Sequence, residues 1–238
     1  MVIFANKNKE MNCSTLSADI VSYTSLVEED KRKLEISIKK LLSDLSLKYT
    51  ENDFWGRMIQ GDYIECAMKS PVYSLRVALL LKTLVKSFEL SNSYPGNKRI
   101  RYFKEYGVRI AIAVAPLITL DRENGIIDGE AIYLSGRAIK EMSTSNKQKV
   151  VMKNSMFFCN RDIQEQEKYN AMVSLIDTIL SKCTQKQCEV IHYKLLDVTE
   201  KDLSEKLNRD QSTISQHSNA AGWNAIEKTI NYFEKYIN

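Results

Sequence analysis

Histidine is nearly missing from this chain, and so are the cysteine spacings that a metal site or a disulfide framework would use. Only His192 and His217 occur, and the five cysteines (Cys13, Cys66, Cys159, Cys183 and Cys188) are odd in number with no C-x-x-C pair. This argues against a zinc site and a disulfide-stapled secreted scaffold, and makes a reducing cytoplasm the expected setting. Three prolines and eight glycines are few, which argues against long flexible linkers and low-complexity tracts. The longest apolar run, "VALLLKTLV" (Val77 to Val85), is short and broken by Lys82, so no membrane span is expected. The opening "MVIFANKNKEMNC" has neither the apolar run nor the charge placement of a signal peptide. The sequence has no internal repeat.

What is there is the composition of an ordinary globular protein: 238 residues, 44% hydrophobic and 27% charged, enough for one large domain or a medium and a small one. The net charge of +4 is uneven. Residues 1–167 carry 25 Lys/Arg against 21 Asp/Glu, whereas residues 168–238 carry 9 against 9. The C-terminal part therefore lacks the basic excess common in nucleic-acid binders.

Along the chain, "MNCSTLSADIVSY" reads as a strand ending near Asp19. An amphipathic helix follows, with Leu34, Ile38, Leu41, Leu42 and Leu45 recurring at three and four. "DFWGRMIQGDYIECAMK" reads as two short strands divided by Gly61-Asp62, a hairpin signal. "SPVYSLRVALLLKTLVKSFEL" is a helix with Ser70 as N-cap and Pro71 at the first helical position. "NSYPGNKRIRYFKE" reads as a basic loop, "YGVRIAIAVAPLIT" as a buried strand and "DRENGIIDGE" as a turn-rich connection. "AIYLSGRAIKEMS" is a further helix, and "KQKVVMKNSMF" an edge strand. A hairpin inside a split βαβ unit suggests an α+β, ferredoxin-like sheet with helices on one face. After Asn160 everything reads as helix: about Lys168 to Cys183, Thr184 to Leu196, Thr199 to Leu207, Gln211 to Ala220 and Trp223 to Tyr236. A boundary is placed between Asn160 and Tyr169, giving domains 1–160 and 161–238.

In the C-terminal part, Thr199 can cap a helix carrying Leu203 and Leu207, Asn208-Arg209 can turn, and Asp210 can cap a second helix that buries Ile214. "LSEKLNRDQSTISQH" resembles the helix-turn-helix of many bacterial regulators. Gln211, Ser212, Thr213, Ser215, Gln216, His217 and Asn219 are the expected DNA-contacting residues, since short donors and acceptors suit base edges and phosphates.

A carboxylate at the end of a core strand is costly unless an arginine, backbone N–H groups or a metal ion meets it, which draws attention to Asp19. "ADIVSYTSL", the Gly61-Asp62 hairpin, "VRIAIAV" and "DGEAIYLSGR" together resemble the class III nucleotide cyclases over roughly residues 13 to 155. The resemblance implies a divalent Mg or Mn cofactor bound by Asp19, the Ile20 carbonyl and Asp62. It also implies a phosphate-stabilising Arg137 and a homodimer whose sites take acids from one subunit and arginine from the other. Two such carboxylates can share metal ions that hold triphosphate oxygens and activate a hydroxyl. The base-reading positions depart from the pattern: Met58 stands at the base-selecting position, Ile126 at a partner acid, and Tyr133 at the ribose-orienting asparagine. Nearly the whole chain also resembles the SatD family in its order of motifs, from Asp19-Ile20 through Gly136-Arg137-Ala138-Ile139 to Thr184-Gln185-Lys186-Gln187.

The function these features imply is a cytoplasmic, homodimeric DNA-binding transcriptional regulator with no membrane association. Its degenerate cyclase-like domain would sense a nucleotide with Mg through Asp19, Ile20, Asp62, Met58, Tyr133 and Arg137. The competing expectation is an active nucleotide cyclase of unusual base specificity, a phosphorus-oxygen lyase, with Arg137 as the candidate catalytic residue and the helical part docking a partner.

Overall fold

The structure is a computed structural model that describes residues 2–3, 12–91, 94–145 and 154–237. Its main sheet is built around β2 (Asn12–Ile20), which is covered on both faces. Alternation along the strand sends Leu16, Ala18 and Ile20 into the main core and Cys13, Thr15, Ser17 and Asp19 to the other face. The strands lie in the order β3 (Trp55–Ile59), β4 (Tyr63–Met68), β2, β5 (Val108–Pro116), β8 (Met156–Asn160). All neighbours are antiparallel except β5 and β8. With α1 (Glu28–Lys48) after β2 and α2 (Ser74–Ser87) after β4, the order is the β-α-β-β-α-β unit expected from the sequence. A small second sheet joins β1 (Val2–Ile3), β6 (Thr119–Asp121) and β7 (Ile126–Asp128).

Several local expectations are corrected. The basic segment expected as a loop is a helix, α3 (Lys98–Tyr106): Asn97 caps it by accepting from Arg99 N, and Ile100 and Phe103 anchor it in the core. The turn-rich connection holds the β6–β7 hairpin. α2 starts at Ser74 rather than Pro71, because Ser74 N turns back onto the Pro71 carbonyl at 3.0 Å. The helices do not share one face. α4 (Glu130–Ser145) crosses the face opposite α1 and α2, where Ser135 meets Thr15 and Ser17 at 3.1 and 2.8 Å. β8 is an edge strand, but it begins at Met156; most of the segment assigned to it by sequence lies outside the described residues.

The remaining helices are α5 (Ile163–Lys182), α6 (Gln185–Leu195), α7 (Glu200–Leu207), α8 (Gln211–Ala220) and α9 (Trp223–Tyr236). The starts of α5, α6 and α7 follow side-chain caps. Asp162 accepts from Gln164 N and Glu165 N; Thr184 and Gln187 form a reciprocal capping box; Thr199 accepts from Asp202 N. Asp210 stands at the N-cap of α8 without a side-chain bond.

The change of structural class near Asn160 is not a break in the core. Tyr169, Val173, Ile176, Leu180, Ile191, Ile230 and Phe233 lie in the same buried cluster as Leu16, Ile38 and Leu79. Phe158 of β8 packs on Tyr169 and Phe233, at centroid distances of 5.1 and 6.0 Å. Lys82 of α2, fully buried, reaches Asp177 of α5 at 3.2 Å and the Val108 carbonyl at 2.9 Å. Asp177 also accepts from Ser155 and Met156 N–H, so the charge is satisfied. α7 and α8 hang from α6 through a separate small core of Val190, Leu203 and Ile214.

Candidate functional site

Asp19 ends β2 on the α4 face, opposite Tyr63 of β4 on one side and Arg109 of β5 on the other. In this register Arg109 meets it two-pronged: Nε donates to Oδ1 at 2.7 Å and Nη2 donates to Oδ2. Both side chains are mostly covered, at 15% exposure for Arg109 and 19% for Asp19. The arginine is thus the partner that the strand-end acid requires, and bidentate geometry makes the pair a strong one. Asp62 belongs to the β3–β4 tip, where Gln60 and Gly61 turn the chain with φ of 52° and 80°. Its carbonyl accepts the Ile20 N–H at 3.0 Å, tying the tip to the end of β2. Burial, and then the neighbouring Asp19 charge, hold the Asp62 carboxyl above the usual range.

A polar stripe runs along the same face. Ser17 bonds both Ser135 of α4 and the Tyr63 phenol, whose pKa is raised chiefly by burial. Next to it Arg57 of β3 donates from Nε and Nη2 to Glu65 at 3.1 and 2.8 Å, and its Nη1 donates to the Gly125 carbonyl in the β6–β7 tip. Beside Gly61 in the β3–β4 tip, Tyr23 donates to Glu35. α4 is seated by Gly129, whose φ is 138°; a Cβ there would stand 2.7 Å from Leu117 Cα and Ile118 N. Side-chain residues rarely adopt that backbone, so the glycine is a requirement of the junction.

The other residues singled out by sequence are placed as follows. Ile20 is buried, with its side chain in the main core. Met58 pairs with Ile64 and packs against the main core, on the face away from Asp19. Tyr133 is 62% exposed on α4, and its hydroxyl donates to Asp128 at 2.6 Å. Arg137 is exposed on the same helix, just after Gly136, where a Cβ would lie 3.8 Å from the Tyr63 hydroxyl. Ile126 is exposed on β7. The fold brings Asp19 and Asp62 to one corner and runs α4 past it, but does not bring Met58 there. Arg109, Tyr63 and Ser135 went unassigned in the sequence. Only the strand register shows Arg109 facing Asp19, although alternation from Asp19 and a cationic residue opening the "RIAI" strand carried a signal.

In the C-terminal part, α7 and α8 are joined by residues 208–210, with Asn208 in the left-handed conformation at φ 49°. Ile214 and Ser218 point inward; Gln211, Ser212, Gln216 and Asn219 are exposed, and Thr213, Ser215 and His217 half-exposed.

For a divalent cation the donor set at the corner is two adjacent carboxylates. Among the described residues no group of three or more His, Cys, Asp and Glu is positioned to hold a metal. Magnesium is commonly held by one or two carboxylates together with phosphate oxygens and water, so the pair fits that use. Burial and, after it, the Asp19 charge disfavour an ionised Asp62, and a shared cation would offset both. A cavity of about 630 Å³ lies away from this corner, lined by Lys48, Tyr49, Tyr73, Arg76, Asp197 and Glu234, and is crossed by the Arg76–Glu234 ion pair.

Among the described residues no helix is long and apolar enough to cross a membrane. No family model matches the chain, and no curated protein matches it. Among solved structures it is similar to adenylate cyclases from Trypanosoma brucei in their monomeric state, at 16% identity over 56% of this chain and 70% of that one, with a TM-score of 0.40. A second structure of those cyclases gives 16% identity over 54% and 67%, with a TM-score of 0.39. The guanylyl cyclase Cya2 gives 12% identity over 53% and 68%, with a TM-score of 0.36. All three are nucleotide cyclases.

Proposed function

We propose that this chain is a homodimeric DNA-binding regulator whose sheet corner takes up a nucleotide together with Mg²⁺ or Mn²⁺. The observation that carries the DNA-binding part is α8. It is a short helix across a three-residue turn from α7, anchored by Ile214 and turning Gln211, Ser212, Gln216 and Asn219 outward. Such a face suits the major groove, with a helix-turn-helix as the unit and two copies reading half-sites about one helical turn apart. Exposed Lys98, Arg99, Arg101 and Lys104 on α3 add phosphate-attracting charge that residues 168–238 lack.

The nucleotide part rests on Asp19 and Asp62. Those two carboxylates would hold the cation, which when bound neutralises and aligns phosphate oxygens. For Asp19 to do so, Arg109 has to yield part of its grip or share the carboxylate. Arg137, exposed on α4, is free to reach phosphate across a dimer. Ile118, Ile126 and Tyr133, at 55%, 48% and 62% exposure, gather around Asp128 and offer apolar surface for that second copy. A second reading, an active cyclase, is favoured by one observation: both acids stand in the same corner as neighbours close enough to shift a pKa.

The experiment is calorimetric titration of the purified protein with nucleoside triphosphates, with and without Mg²⁺ or Mn²⁺, for wild type and the Asp19→Ala/Asp62→Ala variant. Metal-dependent binding lost in the variant supports the site, and product analysis of the same samples separates sensor from cyclase. Absence of binding to any nucleotide removes both ligand readings and leaves DNA binding, which a Gln216→Ala variant tests separately by gel shift.

A further inference from the structure

The cavity of about 630 Å³ opens where the sheet unit meets the C-terminal helices, between the end of α1, the start of α2, the α6–α7 connection and α9. Asp197, in that connection, bridges two cations of the cavity walls. Its Oδ2 accepts from Lys48 Nζ at 2.8 Å and its Oδ1 from Arg76 Nη1 at 3.3 Å. The bridge is unevenly held. Arg76, 14% exposed, donates from Nε and Nη2 to Glu234 at 2.6 and 3.1 Å, and its Nη1 also reaches the Leu195 carbonyl at 3.2 Å. Asp197 is 66% exposed and stands at φ 65°, a left-handed backbone that side-chain residues rarely adopt. Its ion pairs are therefore in contact with water and individually weak, while Arg76 stays in place without them. The walls also offer a donor that Asp197 does not use. Tyr49 is 6% exposed and stacked on Tyr73 with ring centroids 4.6 Å apart, and its hydroxyl has no hydrogen-bond partner among the described residues.

We propose that this cavity binds a small organic anion carrying a carboxylate or phosphate group, and that Asp197 is the built-in occupant which the ligand displaces. The two Asp197 oxygens, one on Lys48 and one on Arg76, mark the bite that such a group fills. Glu234 is already matched to Arg76, and Glu51, the other acid in the walls, is exposed to solvent. Displacing Asp197 therefore leaves Lys48 unmatched, and the ligand's charge restores the balance. The unspent Tyr49 hydroxyl and the stacked rings suit the rest of the ligand. Displacement also acts outside the cavity. Asp197 lies two residues before Thr199, the cap of α7, and Leu203 is the one buried side chain of α7. Freeing Asp197 loosens the entry to α7 while the end of α6 stays tied to Arg76 through the Leu195 carbonyl. Any consequence for DNA recognition rests on the DNA-binding reading of α8; the anion site does not.

Thermal denaturation and hydrogen exchange of the full chain test this, with inorganic phosphate and acetate as probes against chloride at equal ionic strength. Leaving out divalent metal keeps the Asp19–Asp62 corner out of the measurement, so failure here leaves the nucleotide reading standing. Asp197→Asn removes the competing charge and keeps a residue that tolerates the left-handed backbone. Lys48→Gln removes one of the two anion contacts. With the better of the two probes, the rise in melting temperature is expected to be largest in Asp197→Asn, smaller in wild type and lost in Lys48→Gln. The same probe is expected to speed amide exchange several-fold over residues 197–203 of wild type. Equal rises in all three proteins are a general solvent effect of the anion and overturn the proposal. So does a rise in Asp197→Asn no greater than in wild type, or wild-type exchange over 197–203 that neither probe changes.

Discussion

Asp19 and Arg109 meet because antiparallel pairing sets residue 19 opposite residue 109. With both side chains mostly covered, removing the arginine leaves a carboxylate short of its strongest partner. Arg109→Gln is expected to lower unfolding free energy by about 2 kcal/mol, less than a fully buried pair because some water reaches the site. In urea titrations Mn²⁺ should recover more of that loss in the variant than it adds to wild type. An unchanged midpoint would show that the pair contributes nothing. His192 gives the pH counterpart. Its Nδ1 lies 3.2 Å from the Leu80 carbonyl and the Thr83 hydroxyl, and burial lowers its pKa from 6.5 to about 4. The folded value is below the unfolded one, so the unfolded chain takes up this proton first. The associated stability is complete above pH 6.5 and disappears as pH falls toward 4, on the order of 3 kcal/mol in all. Subtracting the stability–pH curve of His192→Gln from that of wild type should isolate this slope; parallel curves would contradict it.

At the scale of elements, local chemistry was legible where a side chain bonds its own backbone. Thr184 with Gln187, and Thr199, start α6 and α7 where the sequence places them. It was less legible where tertiary contact decides. α3 has few apolar residues, yet Ile100 and Phe103 are spaced to bury together, and the charges around them are only its solvent side. The seat of α4 likewise depends on what lies under it. Gly129→Ala forces a Cβ against Leu117 and Ile118 backbone at an unfavourable φ, and is expected to cost about 2 kcal/mol or more. Because α4 carries Tyr133 and Arg137, the same variant should weaken any nucleotide binding beyond its effect on stability. Thermal denaturation paired with the calorimetric titration measures both, and a variant as stable as wild type would show that the junction relaxes freely.

For the whole molecule, the placement of the core matters more than the change from mixed structure to helix. Phe158 of the sheet is closed over by Tyr169 of α5 and Phe233 of α9, and most of α2 is buried between sheet and later helices. A chain ending at Asn160 is therefore expected to lose cooperative melting and near-ultraviolet dichroism, because its apolar surface has no cover. A fragment that melts cooperatively near the full-length temperature would establish an independent domain. The sequence by itself determined the elements whose signal is periodic or covalently local: the strand carrying Asp19, the hairpin at Gly61-Asp62, the amphipathic α1 and the capped helices. Only the tertiary structure decided which face each element presents. That step put Met58 beneath the sheet and α4 above it, matched Asp19 with Arg109, and carried one core through the C-terminal helices. The physical reason is that periodicity says which side of an element is apolar, whereas register and packing, set by residues far apart in the chain, say what that side meets.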